Sequence, residues 1–429
     1  MSRKSKLLEE LGKNCKDMDF EKIEKMDIEV LKDFSMTIEN NLTDERADIS
    51  YQPLVNIVMI TFLALMGNAN EWTEIYEFGV MHKEWLSKFL DLKYGIPSIT
   101  TIRTTIGIID TKELENICVN YMIKKIKELQ ELFKIEETDE KDIMAYDGKI
   151  CKGSSRKNTV QGKIKPVNAM SAFNVTKDIC VATKFIEEKT NEIPTGPELI
   201  KMLDLTNTIS TFDALNTQEK TIEAIVKQNG NYVAAVKGNQ GTLHNDIKLY
   251  FEDANCYKKA KEESYYEEKE KAHNCVEKRI YVMTSKIEWL EGKEKWKNIK
   301  SIGMVKRQYE VDNEKKEEIR YYITDLESNE IKDFKNAVRG EWGIENNLHW
   351  QLDYVFKEDA NLTMNKQAQA NLNILRKICL NLLKLVKPLY NKSLKLIRFK
   401  LGQDFENEIM KVLLCLNTEA LQDKIAVIQ

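Results

Sequence analysis

The chain has 429 residues, 42% hydrophobic and 31% charged, with net charge −4 and eight cysteines. It exceeds the usual size of one domain, so two or three units with a sizeable core are expected. The cysteines never form C-x-x-C, which argues against a structural zinc site or a disulfide framework and fits a reducing cytoplasm.

Charge is unevenly placed. Ala360 to Gln403 carries nine Lys or Arg and no acid, leaving −13 on the remainder, and Gly148 to Lys177 carries seven basic residues and no acid. Such asymmetry is the footprint expected for phosphate contacts; an ordinary Lys-rich solvated face accounts for one such stretch equally well, but less well for both.

Residues 1–45 are charged and helical in pattern and read as peripheral. Their first residues, Met1 to Lys6, lead into a charged segment rather than an apolar signal region. A helical N-terminal domain is expected over 46–135. Its apolar run Leu54–Met66 is too short for a membrane span and contains Asn56, so a buried helix is the better reading. Glu71 to Leu90 has helical spacing. Pro97 and Ser98 form a turn and an N-cap before a helix bearing Arg103. This arrangement fits a helix-turn-helix or a plain bundle equally. Glu113 to Phe133 is amphipathic, and Glu136 to Asp142 reads as a linker.

At Ile143 the pattern changes to short apolar strands. Ile143 to Gly148 ends in Asp-Gly, Val167–Val175 and Ile179–Ile186 follow, and Thr208–Asp213 again ends in aspartate. With helices at 197–205, 217–228 and 242–251 and a strand at 232–236, this is an α/β layer with a mixed sheet. Residues 255–325 alternate in charge and read as a β-rich insertion. One helix is expected from Asn329 to about Leu352, another from Asn371 to Val386. A basic tail over 387–429 ends in a helix near Phe405–Leu416.

Two strands ending in Asp147 and Asp213 would bring two carboxylates together if adjacent. Such a pair repels unless a cation lies between them, and oxygen ligands suit Mg²⁺ or Mn²⁺. A third carboxylate from a helix across the sheet would complete a two-metal site. Glu345 is the candidate, with Glu341 and Asp353 as rivals and Glu192 and Asp246 as supporting groups. Turn and solvated-surface roles compete at each position taken singly. The stretch Arg339 to Asp353 also holds Trp342, His349 and Trp350, and retains Gly340 and Gly343 against helix propensity.

These residues resemble the DDE transposases of bacterial insertion sequences, specifically the H-repeat-associated type. The resemblance runs from about Ala47 to Leu416. It rests on Trp72-Thr-Glu-Ile, Pro97 to Arg103, Ala145-Tyr-Asp-Gly-Lys149, Lys189-Thr-Asn-Glu-Ile193, Phe212-Asp-Ala214, Tyr232 to Gln240, Trp342 to Asp353 and Asn371 to Arg376. It implies an RNase H-like catalytic core over 141–254 and 326–386, interrupted by the insertion at 255–325. Asp147, Asp213 and Glu345 are then the catalytic and metal-binding residues. The implied activity is cleavage at the ends of an insertion element and transfer of the 3′-hydroxyls to target DNA, with Mg²⁺ or Mn²⁺ as cofactor. DNA ends and target DNA are the partners, and a homodimer is expected when two ends are synapsed. A metal-dependent nuclease that cuts without joining and an inactive DNA-binding derivative are the alternatives. Candidate DNA contacts are Lys149, Lys152, Arg156, Lys157, Lys237, Gln240, Arg339, Trp342 and His349. Val338, Glu341 and Leu352 stand where related transposases often carry Tyr, Arg and Lys.

Overall fold

The structure, a computed structural model, describes residues 6–15, 28–46, 50–135, 140–159, 162–186, 192–272, 275–311, 314–419 and 421–423. Among the described residues seven helices come first: α1 (Lys6–Cys15), α2 (Glu29–Asn41), α3 (Leu54–Met66), α4 (Trp72–Met81), α5 (Lys83–Leu86), α6 (Ile99–Ile106) and α7 (Thr111–Leu132). Helix α3 is apolar on all sides and almost wholly buried, and its one amide, Asn56, donates to the Asp91 carbonyl at 2.6 Å. Ser98 caps α6, accepting from the Thr101 N–H, and Asp110 caps α7 in the same way.

The strands are β1 (Asp142–Cys151), β2 (Arg156–Thr159), β3 (Gly162–Ile164), β4 (Val167–Asn174), β5 (Ile179–Phe185), β6 (Thr208–Phe212), β7 (Asn231–Val236), β8 (Tyr265–Ala272), β9 (Cys275–Thr284), β10 (Ser301–Val311) and β11 (Glu314–Thr324). Nine of them form one sheet in the order β5-β4-β1-β6-β7-β11-β10-β9-β8, while β2 and β3 make a small hairpin. Strands β1, β6 and β7 are parallel and the other pairings antiparallel. The β-rich stretch therefore extends the central sheet: β11 pairs with β7, with Tyr321 opposite Val236.

Helices α8 (Glu192–Ile200), α9 (Glu219–Lys227), α10 (Gly241–Glu252) and α11 (Ala254–Glu263) cover one face, where Met144 and Tyr146 pack with Leu199, Ile222 and Ile225. On the other face lie α12 (Ile331–Gly340), α13 (Trp350–Tyr354) and α14 (Lys366–Tyr390). Ile143 meets Phe334 and Ala337 of α12 there, and Ala145 joins the core around α14. Strand alternation thus sends Ala145, Asp147 and Lys149 toward α12–α14.

Three expectations are corrected. The N-terminal segment is not peripheral: Leu7, Leu11, Phe34 and Ile38 are buried in the same core as α14. Their i, i+4 spacing makes an apolar stripe that the surrounding charges obscure in the sequence. The C-terminal segment keeps its expected last helix, α16 (Phe405–Leu416), but it is no mere tail: α15 (Leu394–Gln403) precedes that helix and both are anchored in the same core. The expected helix from Asn329 to Leu352 is not continuous. Helix α12 ends at Gly340, and Glu345–His349 forms a wide π turn before α13. Both glycines in this stretch meet the sheet. A Cβ on Gly340 would lie 2.5 Å from Ile143 Cγ2, and one on Gly343 2.9 Å from Val175 Cγ1. Among the described residues no helix is long and apolar enough to cross a membrane.

Candidate active site

Strands β1 and β6 pair in parallel up to Tyr146 opposite Phe212. Asp147 and Asp213 are the next residues along the two segments, each one step past that last paired rung. Asp147 is held by its neighbour: the Gly148 N–H donates to Oδ1 at 2.9 Å. His349, in the π turn, places Nδ1 3.4 Å from Asp147 Oδ2. Its Nε2 is buried with no protein partner. Asp213 Oδ1 accepts from the Asn216 N–H and side-chain amide, both at 3.2 Å.

The loop after Asp213 is fixed from β7. Gln240 donates to the Ala214 and Thr217 carbonyls at 2.9 and 2.8 Å, and Asn239 donates to the Ala214 carbonyl at 2.6 Å. The Gln240 side-chain Oε1 accepts from the Lys237 N–H.

Glu192, the first residue of α8, comes over the sheet at Gly148, where a Cβ would lie 2.2 Å from Glu192 Oε1. Glycine is needed here for close approach. Burial holds the Glu192 carboxyl above its usual range, Asp147 and Asp213 push it further up, and Asn168 and Asn216 oppose the shift through hydrogen bonds. Burial likewise pushes Glu341 up to about 7; Arg320 opposes this, Asp213 adds to it and Lys237 opposes it.

Negative groups thus gather where β1 and β6 part. Oxygen-only donors in mutual repulsion are the chemistry that a hard divalent cation satisfies. Among the described residues, however, no three His, Cys, Asp or Glu side chains stand close enough to share one ion. Glu192 lies over Gly148, within electrostatic reach of Asp147 and Asp213, and His349 is set on Asp147. Glu345, one π turn before His349, is exposed to solvent.

The other candidates divide. Lys149 is not free for phosphate: its Nζ lies 2.8 Å from Asp353 Oδ1, 3.3 Å from Asp359 Oδ1 and 3.5 Å from Glu358 Oε2. Burial lowers this ammonium, but the three carboxylates, Glu358 first, carry it above its ordinary range. Asp353, a rival third ligand, is thereby committed. Arg156 donates to the Gly153, Ser155 and Leu362 carbonyls. Gln240 braces backbone, and Arg339 makes a two-bond ion pair with Glu270 at 2.8 and 3.1 Å. Lys152 and Lys237 are exposed, although Lys152 Nζ stands 3.4 Å from Asp359. Trp342 is exposed, with the Arg320 guanidinium 5.3 Å from its ring centre. The Lys157 side chain lies outside the described residues, as does most of the stretch before Glu192.

The basic run near the C-terminus is also corrected. Arg376, Lys377, Lys384 and Arg398 are buried. Lys377 donates to Ser171 and Thr183, and Lys384 to Asp178. The partners these residues need lie as far as 333 positions away, between Arg398 and Leu65, so their burial left no local signal. Gly148 had one: Asp-Gly on a strand also reads as a turn, and only the fold shows that it admits Glu192.

Residues 136–382 match the family described as Transposase DDE domain, and residues 40–122 match the one described as DDE_Tnp_1-associated. "Putative transposase YncI" of Escherichia coli O157:H7 is 32% identical over 335 residues, spanning 77% of this chain and 82% of that protein. "H repeat-associated putative transposase YhhI" of Escherichia coli K12 is 31% identical over 337 residues, spanning 77% and 84%. Among solved structures, a piggyBac transposase synaptic complex with hairpin DNA aligns with a TM-score of 0.39 at 9% identity, covering 99% of this chain and 86% of that one.

Proposed function

The chain belongs to the DDE transposases of the H-repeat type, and we propose that it cuts the ends of its insertion element and joins the 3′-hydroxyls to target DNA. The observation that carries this reading is the parallel pairing of β1 with β6, whose last rung, Tyr146 opposite Phe212, immediately precedes both Asp147 and Asp213. The order β5-β4-β1-β6-β7 supports an RNase H-like core. Counted along the chain within that group, the first aspartate is on the first strand and the second follows the fourth. In this reading the catalytic unit is 141–254 and 326–386, and β8–β11 are its insertion.

Asp147, Asp213 and Glu345 would hold Mg²⁺ or Mn²⁺, with Glu192 beside them. Bound there, such ions make water or a 3′-hydroxyl nucleophilic near neutral pH and stabilise the leaving oxygen. The protein's own groups do the rest. Asn216 and the Gln240 brace fix the Asp213 carboxylate, and His349 holds Asp147. Lys152 and Lys237 are exposed cations for DNA phosphates, and Trp342 offers a face to a base. DNA is the partner, two ends are synapsed by a homodimer, and the work is done in the cytoplasm.

The test is a joining assay. The full chain, Mg²⁺ and a plasmid bearing a short element with both inverted ends should give product joined through 3′-hydroxyls to a second DNA. Cut ends that are never joined would identify a nuclease and overturn the proposal.

A further inference from the structure

Immediately past His349 the chain turns outward. Trp350 and Tyr354, one turn apart on α13, are stacked with ring centres 4.6 Å apart and planes at 15°. Both are open to solvent, at 52% and 47% exposure. Large aromatic rings left exposed and parallel are unusual on a surface that has only to be soluble. From α15, Lys395 Nζ lies 4.4 Å from the Tyr354 ring centre and donates to Tyr354 Oη at 3.2 Å.

The outer face of α15 continues the pattern. Lys395, Leu396, Phe399 and Lys400 are all exposed and fall on one side at helical spacing, and exposed Lys392 stands just before the helix begins. No acid lies between Ala360 and Gln403. The ledge is rigid because of Arg398 on the opposite side of α15. That buried guanidinium donates to the Leu65, Ala69 and Val355 carbonyls and to Asn70 Oδ1.

We propose that Trp350, Tyr354, Lys395 and Phe399 form a binding ledge for single-stranded DNA, adjoining Asp147 through His349. Charge and shape select the occupant. Exposed aromatic faces take unpaired bases, and lysines between them take the phosphates of the same strand. A duplex keeps its bases stacked internally and gains nothing from the rings. Another protein surface would have to be acidic to meet Lys392, Lys395 and Lys400. That the occupant is the strand end leaving the active site rests on the transposase reading; the affinity for unpaired DNA does not.

The experiment compares labelled single-stranded and duplex oligonucleotides by fluorescence anisotropy, using the full chain. The Trp350→Ala/Tyr354→Ala variant should bind the single strand about tenfold more weakly or worse and duplex within about twofold of the unaltered protein. Lys395→Gln should flatten the salt dependence of single-strand binding by about 0.7 in the log–log slope. Because all three side chains are exposed, circular dichroism should show the fold unchanged. Unaltered single-strand affinity, or an equal loss on duplex, overturns the ledge. So does a loss of self-association in sedimentation with DNA binding intact, since the face would then be a contact between copies. The joining assay separates the two ideas. Failed joining by the unaltered protein with strand-selective binding retained overturns the transposase reading alone, while normal joining with no strand preference overturns the ledge alone.

Discussion

Lys149 Nζ sits 2.8 Å from Asp353 Oδ1, so the strand that carries Asp147 is tied to the helix that follows Glu345. The same ammonium faces Glu358, which is wholly buried, receives a hydrogen bond from Asn373 at 2.7 Å and lies 4.0 Å from Arg376. Lys149 and Asp353 are 204 positions apart, and their meeting ties the strand to the segment that carries the π turn.

Replacing Lys149 by Met should therefore destabilise the protein by about 3–5 kcal/mol, because it leaves a buried carboxylate short of its nearest cation. Asp353→Asn removes a partner that is 38% exposed and should cost about 1 kcal/mol or less. Urea denaturation of both variants measures the difference. Equal losses would mean that Lys149 serves Asp353 rather than Glu358.

Gly340→Ala places a methyl 2.5 Å from Ile143 Cγ2. The gain in helix propensity is about 1 kcal/mol, and overpacking costs about 1–3 kcal/mol, so the net effect should be destabilising. Ile143→Ala should cost less in the Gly340→Ala background than alone. Additive losses in that double-mutant cycle would show that the two sites do not touch.

Gln240→Ala should lower joining about tenfold with little change in DNA affinity, because the side chain holds the loop behind Asp213 rather than a phosphate. Measuring binding and joining on the same DNA separates these roles. A loss of affinity with unchanged turnover would restore Gln240 as a DNA contact.

Glu115 gives a pH signature away from the site. Burial pushes its carboxyl from 4.5 up to about 7, against Lys377 and hydrogen bonds with Thr183. The folded state holds this proton after the unfolded state has released it. Stability from this group is complete below about 4.5 and is lost as pH rises toward about 7, a change on the order of 3 kcal/mol. Glu115→Gln should remove that decline in urea midpoints between about pH 4.5 and about pH 7. An identical slope in the variant would refute the assignment.

Much of this arrangement could be read from the residues. Short apolar strands leading to Asp147 and Asp213 were legible because strand burial is a local feature, but only β6 stops at its aspartate; β1 runs on through Asp147 to Cys151, because its pairing with β4 continues past Asp147. The adjacency of the two strands was not legible, because register depends on pairing partners far along the chain. Gly340 and Gly343 announced a constraint that propensity could not explain, and the fold supplies it in Ile143 and Val175. The π turn left no such trace, since its residues also fit an ordinary helix. The basic stretch misled for a physical reason: Arg376, Lys377, Lys384 and Arg398 carry the same charge on the page whether they meet phosphate or a buried carbonyl. Lys149 followed the same logic, with carboxylates from Asp353 to Asp359 taking the place assigned to DNA.

The central claim is that Asp147 works in the chemistry and not in holding DNA. Asp147→Asn changes charge and almost no volume at a half-exposed position. Joining of element ends to target DNA in Mg²⁺, measured beside end binding on the same preparation, tests it directly. The account predicts joining reduced at least about a thousandfold with binding within about twofold. Continued joining by Asp147→Asn, with binding intact, would contradict it.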